Sequence, residues 1–152
     1  MNPNAVSDVS SLYERVGGKQ GLRAFVQRLY QHMDSLPEVR PVRDLHAMSL
    51  AEAGERLFRF LSGWLGGPPL YHQTYGEPRL RRRHMHIAIG DAERDQWLLC
   101  AQKALDDMDW PDAVRDELMQ RLREMANHLR NQGQFNIGCA SASRVLKRPA
   151  WT

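Results

Sequence analysis

The chain is short of nearly everything that marks a secreted, membrane-bound or strand-built protein. It has 2 cysteines in 152 residues, Cys100 and Cys139, and two thiols so placed form no spaced framework of disulfides or metal ligands. They read as free thiols in a reducing, cytoplasmic setting. No apolar run exceeds a few residues, which excludes a membrane span read from hydropathy. Met1 to Ser10 carry one charge, Asp8, and lack the basic-then-apolar layout of a signal peptide; this segment is expected to be disordered. Period-two strand patterns, internal repeats and low-complexity blocks are all missing. Neither charge sign dominates: 21 basic against 18 acidic side chains leave +3. That balance suits an acidic ligand and does not call for nucleic acid.

What is there is helical periodicity on a chain long enough for one domain with a real core. Between Lys19 and Asp34, Leu22, Phe25, Val26, Leu29, Tyr30 and Met33 fall on one helical face, after a short turn bearing Leu12, Tyr13 and Val16 and the pair Gly17-Gly18. A second helix is predicted from Ser49 to Trp64, with Ser49 as cap, Glu52 completing a capping box, and Leu50, Ala53, Leu57, Phe60, Leu61 and Trp64 facing inward. The linker between them, Ser35 to Met48, holds Pro37 and Pro41 and is expected to be irregular. Asp91 opens a third helix to about Met108, with Trp97, Ala101, Ala104 and Leu105 inward. Pro111 suits the first turn of a fourth, whose stripe is Val114, Leu118, Leu122, Met125 and Leu129. These features predict an all-α domain over residues 11–133, followed by a loosely ordered tail, 134–152.

The most informative segment lies between the second and third helices. Gly66-Gly67-Pro68-Pro69 stops an apolar helix, and Pro78-Arg79-Leu80-Arg81-Arg82-Arg83-His84 follows it. Pro69 to Gly90 has scattered apolar residues and one short helical turn, Arg79 to His84. Stretches of that length in a compact domain are usually functional or are ordered by something bound. One fixed histidine opposite an apolar helix is what an iron porphyrin needs as its protein-side axial ligand, and the neighbouring arginines match its two carboxylates. A zinc site built from His84, His86 and Cys100 is the rival metal reading, but the spacing of structural or catalytic zinc ligands is absent.

These motifs, taken in order, resemble the group II truncated haemoglobins, the bacterial two-over-two globins. Phe58-x-Phe60-Leu61-Ser62-Gly63-Trp64-x-Gly66-Gly67-Pro68, Pro78-Arg79-Leu80-Arg81-x-Arg83-His84 and Glu93-Arg94-Asp95-x-Trp97-Leu98 carry the resemblance, which runs from about Leu12 to Gln132. It departs at Glu77, where a histidine is common, and at His86 and Ile87, where proline and phenylalanine are usual. The resemblance implies a two-over-two helical sandwich around haem b, with His84 as proximal iron ligand. Tyr30 and Trp97 would be distal hydrogen-bond donors, and His46, Ala53 and Leu57 would complete the distal side. Without the resemblance, Tyr30 and Trp97 read as core aromatics and His46 as an exposed loop histidine. Arg56, Tyr71, Arg79, Arg81 and Arg83 are candidates for the propionates, and Phe60, Leu61, Leu80 and Ile89 for contact with the porphyrin.

The implied function is binding of dioxygen, nitric oxide, carbon monoxide or other small ligands at a pentacoordinate iron. Nitric oxide dioxygenase or peroxidase-like activity, served by an unidentified reductase, would use the same pocket. A monomer or weak homodimer is expected, with no membrane or nucleic-acid partner. The rival from another class is a haem-free helical interaction or sensor module.

Overall fold

The computed structural model describes residues 10–85 and 87–131. The expectations for the N-terminal segment (Ser10 apart), for His86 and for the tail, 134–152, lie outside these residues. Among the described residues all regular structure is helical. The elements are α1 (Leu12–Arg15), α2 (Gly18–Ser35), a 3-10 turn (Pro37–Val39), α3 (Arg40–Asp44), α4 (Leu50–Trp64), α5 (Leu70–Tyr75), α6 (Leu80–Arg83), α7 (Asp91–Asp106) and α8 (Asp112–Leu129).

The four long helices are those the periodicity predicts, and their ends have local causes. Gly17 stands before α2 with φ 96°, a left-handed conformation that glycine adopts without steric cost. Ser49 caps α4 by accepting from the Glu52 N–H at 3.1 Å. At the start of α7 the Glu93 carboxylate accepts from the Gly90 N–H at 2.8 Å, the backward half of a capping box. Pro111 precedes α8 as its cap rather than sitting in its first turn. The end of α4 is fixed by its glycines: Gly66 has φ 100°, and a Cβ on Gly67 would lie 2.5 Å from the Tyr13 ring.

Two stretches are more ordered than the sequence suggests. The linker from Ser35 to Met48 winds into the 3-10 turn and α3, with a proline in the first turn of each. A proline there surrenders only an N–H that a helix start leaves unbonded anyway. The stretch from Pro69 to Gly90 contains α5 as well as the expected turn at Arg79 to His84, which is α6.

Helix α2 is the hub, packing on both α4 and α7, and α7 packs in turn on α8. Its stripe Leu22, Phe25, Val26, Leu29 and Met33 is buried. Phe58, Leu61 and Leu65 of the α4 segment and Leu105, Leu118 and Leu122 of α7 and α8 complete a continuous apolar core. The Arg23 guanidinium lies 4.0 Å from the Phe58 ring centroid and pairs with Glu55 at 2.7 Å. Arg59 bonds the other Glu55 oxygen at 2.7 Å. These two arginines hold the Glu55 carboxyl below the usual carboxylate range.

Candidate functional site

Beside the core, α2, α3, α4, α5 and α6 and the start of α7 enclose a cleft of about 850 Å³, closed on one side by the last turns of α8. That volume suits a bound small molecule or cofactor. Helix α4 supplies one wall through Ala53, Arg56, Leu57 and Phe60. Tyr71 of α5 is 7% exposed and stands edge-on to Phe60, centroids 6.4 Å apart. Leu80, Arg82, Arg83, His84, Ile87, Ala88 and Ile89 come from α6 and the segment after it. Met125, Ala126 and Leu129 reach in from α8.

His84 follows the last residue of α6. Its Nδ1 lies 2.7 Å from the Leu80 carbonyl one turn back. A carbonyl only accepts, so Nδ1 carries a hydrogen, and in the neutral ring the lone pair is then on Nε2.

Tyr30, His46 and Trp97 border the same cleft. Burial is the main cause holding the Tyr30 phenol well above its ordinary range, and the nearby Cys100 adds to it. Hydrogen bonding from Trp97 acts in the opposite direction. The Tyr30 hydroxyl therefore keeps its proton at neutral pH. The His46 ring stands edge-on to Tyr30 with centroids 5.8 Å apart, and its Nδ1 lies 3.0 Å from the Val42 carbonyl. Burial lowers its pKa, outweighing the hydrogen bond to Val42. The Val42 N–H donates to Gln96 Oε1 at 3.0 Å, so α7 anchors the turn that carries His46. Cys100, fully buried, has its thiol pushed up to about 11, mainly by burial.

Most of the residues expected at the site are brought together here. Three are not. Leu61 is fully buried and belongs to the face of α4 shared with Phe58 and Leu65, which packs into the core. The cleft instead takes the adjacent face, with Ala53, Leu57 and Phe60 at helical offsets of four and three. Arg81 turns away and donates to the His128 carbonyl at 2.6 Å. Arg79 is exposed, sits at φ 41° as the residue capping α6 and is not part of the lining. Arg82 takes their place in the lining. Helical spacing alone argues against it, but α6 ends at Arg83, so that spacing does not extend to His84. Met125 and Leu129 belong to the α8 stripe that the periodicity assigned to the core.

A family profile described as bacterial-like globin matches residues 11–131. A curated relative, the group 2 truncated haemoglobin YjbI of Bacillus subtilis, is 34% identical over 79% of this chain and 88% of its own length. The chain belongs to the group 2 truncated haemoglobins. Solved members share its fold. The group II two-on-two haemoglobin of Agrobacterium tumefaciens is similar at 39% identity and a TM-score of 0.78, over 83% of this chain and 98% of that one. The truncated oxygen-avid haemoglobin of Bacillus subtilis is similar at 33% identity and a TM-score of 0.72, over 80% and 100%. This globin therefore has the two-over-two helical fold that its motifs implied.

Haemoglobins hold haem, and the cleft can be tested for it. Haem needs apolar walls, one imidazole and cations for its carboxylates. The walls and the imidazole are present. The cations are Arg82, Arg83 and Arg56. Among the described residues, the buried Arg56 Nε has no hydrogen-bond partner, a costly arrangement unless an acceptor arrives with a ligand. Its guanidinium lies 4.4 Å from the Tyr75 centroid, while Arg83 is steadied by the Pro78 carbonyl at 2.8 Å. The residues fit the group.

Proposed function

We propose that this truncated haemoglobin binds dioxygen and other small diatomic ligands at a haem b seated in the cleft, with His84 as its axial ligand. The group supplies an iron that takes up diatomic gases when ferrous and supports redox chemistry when oxidised. The observation that carries the reading is one cleft holding both a histidine whose Nδ1 is committed to a backbone carbonyl and a buried tyrosine hydroxyl beside an indole N–H.

His84 presents the Nε2 lone pair. The bond from Nδ1 to Leu80 orients the ring and raises its basicity. Tyr30, kept protonated, offers an O–H, and Trp97 offers an N–H that can only donate. Both therefore suit a ligand that gains negative charge on binding. A charge-assisted hydrogen bond of this kind contributes about 1.5–3 kcal/mol. His46, with its pKa lowered, stays neutral and limits the polarity of that side. Ala53 and Leu57 form the apolar α4 wall, and the small Ala53 side chain leaves room for a path to solvent. Phe60, Tyr71, Leu80 and Ile89 offer contact to the porphyrin faces. Arg56, Arg82 and Arg83 bind the carboxylates.

The similarity to the oxygen-avid haemoglobin of Bacillus subtilis supports dioxygen as a ligand. Nitric oxide dioxygenase activity, sustained by a separate reductase, extends the proposal. Turnover of nitric oxide by the dioxygen-loaded protein with a reductase present tests that extension.

The central test is His84→Gly, purified with haem supplied. Haem content should fall sharply and the ferrous spectrum should change. Unchanged content and spectrum would overturn the assignment.

A further inference from the structure

The end of α8 does more than close the cleft. Asn131, two residues past the helix, is 7% exposed, yet its polar groups are engaged. Its Nδ2 donates to the Ile87 carbonyl at 2.9 Å and to the His84 carbonyl at 3.3 Å. Its Oδ1 accepts from the Ile89 N–H at 2.9 Å, and its own N–H donates to the Ile89 carbonyl at 2.9 Å. Only one orientation of the amide meets two carbonyls with NH₂ and an N–H with oxygen. The side chain thus bonds the segment as a neighbouring stretch of backbone would, adding to the Ile87 N–H bond to the His84 carbonyl at 3.0 Å.

Neighbouring residues grip the same segment on both flanks. Arg81, before His84, donates to the His128 carbonyl at 2.6 Å. After it, Arg130 pairs with Asp91 at 2.7 Å and Arg94 donates to Asn127 Oδ1 at 3.0 Å. Residues 127–131 therefore hold the chain from Arg81 to Arg94, while Met125 and Ala126 just before them, and Leu129 among them, line the cleft. The His84 main chain is bonded locally to Leu80 and Ile87, and Asn131 ties it to the end of α8.

We infer that Asn131 is a positioning residue for His84: it fixes the backbone that aims the imidazole into the cleft, and so governs how tightly the cofactor is retained. This rests on the haem reading of the cleft. Partners behind a metal-ligating histidine typically change metal affinity about 10- to 100-fold when removed. Asn131 acts one step further back, through the main chain, and through two carbonyls at once.

The experiment uses the haem-loaded protein. Asn131→Ala removes all the side-chain bonds. Asn131→Asp keeps an acceptor for Ile89 but faces the His84 and Ile87 carbonyls with a carboxylate, and serves if the alanine variant fails to fold. Leu118→Ala, a fully buried α8 position remote from the lining, controls for general destabilisation. Transfer of haem to an excess of a haem-free acceptor globin should be about 10- to 100-fold faster in both Asn131 variants than in the control. The deoxy-ferrous iron–histidine stretching band should shift in those two and stay in place in Leu118→Ala. Amide exchange adds a signature that needs no iron: the Ile89 N–H should exchange at least about tenfold faster in Asn131→Ala and keep its protection in Asn131→Asp. Asn131 variants that lose haem no faster than Leu118→Ala, with an unshifted band, overturn the inference. Haem retention by His84→Gly would instead overturn the site reading, leaving the exchange result to judge the brace on its own.

Discussion

The two sides of the cleft are held by different forces. The side bearing Tyr30, Ala53, Leu57 and Trp97 is built from long helices whose opposite faces are buried in the core, so its side chains inherit their positions from close packing. The side bearing His84 is built from α6 and an irregular segment. Its residues from Leu80 to Gly90 are half-buried or exposed wherever they are described, and it is held by hydrogen bonds to the end of α8. Packing is strong in sum but non-directional. Hydrogen bonds are individually modest but set orientation, which is what a ligating imidazole requires.

The largest expected effect removes the packing. Phe25 is fully buried and lies 6.0 Å, centroid to centroid, from Trp110. Phe25→Ala should cost about 3–5 kcal/mol in urea unfolding. If the loss is under about 1 kcal/mol, the Tyr30 side does not depend on the core as described.

Next comes the donor pair. Tyr30→Phe should speed dioxygen dissociation about 10- to 100-fold, the equivalent of 1.5–3 kcal/mol. Trp97→Phe should do the same to a smaller degree. The double variant should fall short of the product, because the two donors interact. Stopped-flow dissociation checks this, and independent effects near unity would remove these residues from ligand binding.

A smaller effect is expected at the start of α4. Ser49→Ala removes the cap on the wall helix and should cost about 1 kcal/mol, seen as faster exchange of the Glu52 amide with no change in haem retention. A change in haem retention as large as that of Asn131→Ala would erase the distinction between the two sides.

The smallest effect concerns pH. Burial holds the His46 pKa below its ordinary value of 6.5. The unfolded chain therefore binds this proton more readily than the folded one. The contribution is fully present above pH 6.5 and is lost as pH falls from there through the lowered folded value. His46→Gln should flatten the decline in melting temperature across that acid range. An identical decline in wild type and variant would show that burial does not perturb this imidazole.

The legibility of the chain follows the same division. The four long helices were readable because their stripes repeat at 3.6 residues, and Ala53, Leu57, Trp97 and Tyr30 could be placed from those stripes. The short elements were less so: Arg79 to His84 read as one helical turn, which is α6, but α3 has 5 residues and α5 has 6, too few for a period to register. Arg79 and Arg81 were expected at the cleft because they flank His84 in sequence. Proximity along a four-residue helix says little about direction, and Arg82 lines the cleft instead.

By itself, the order of residues determined the helical class, the long helices and the family, and singled out His84 as the candidate ligand, because periodicity and local motif spacing are properties of the chain alone. Tertiary structure decided which arginines face the cleft, that Leu61 belongs to the core, that Gln96 anchors the turn carrying His46, and that Asn131 braces the segment behind His84. Those outcomes depend on contacts 42 to 54 residues apart in sequence. A single asparagine carries no period and no motif, and its role exists only once α8 brings its amide against the backbone groups of His84, Ile87 and Ile89.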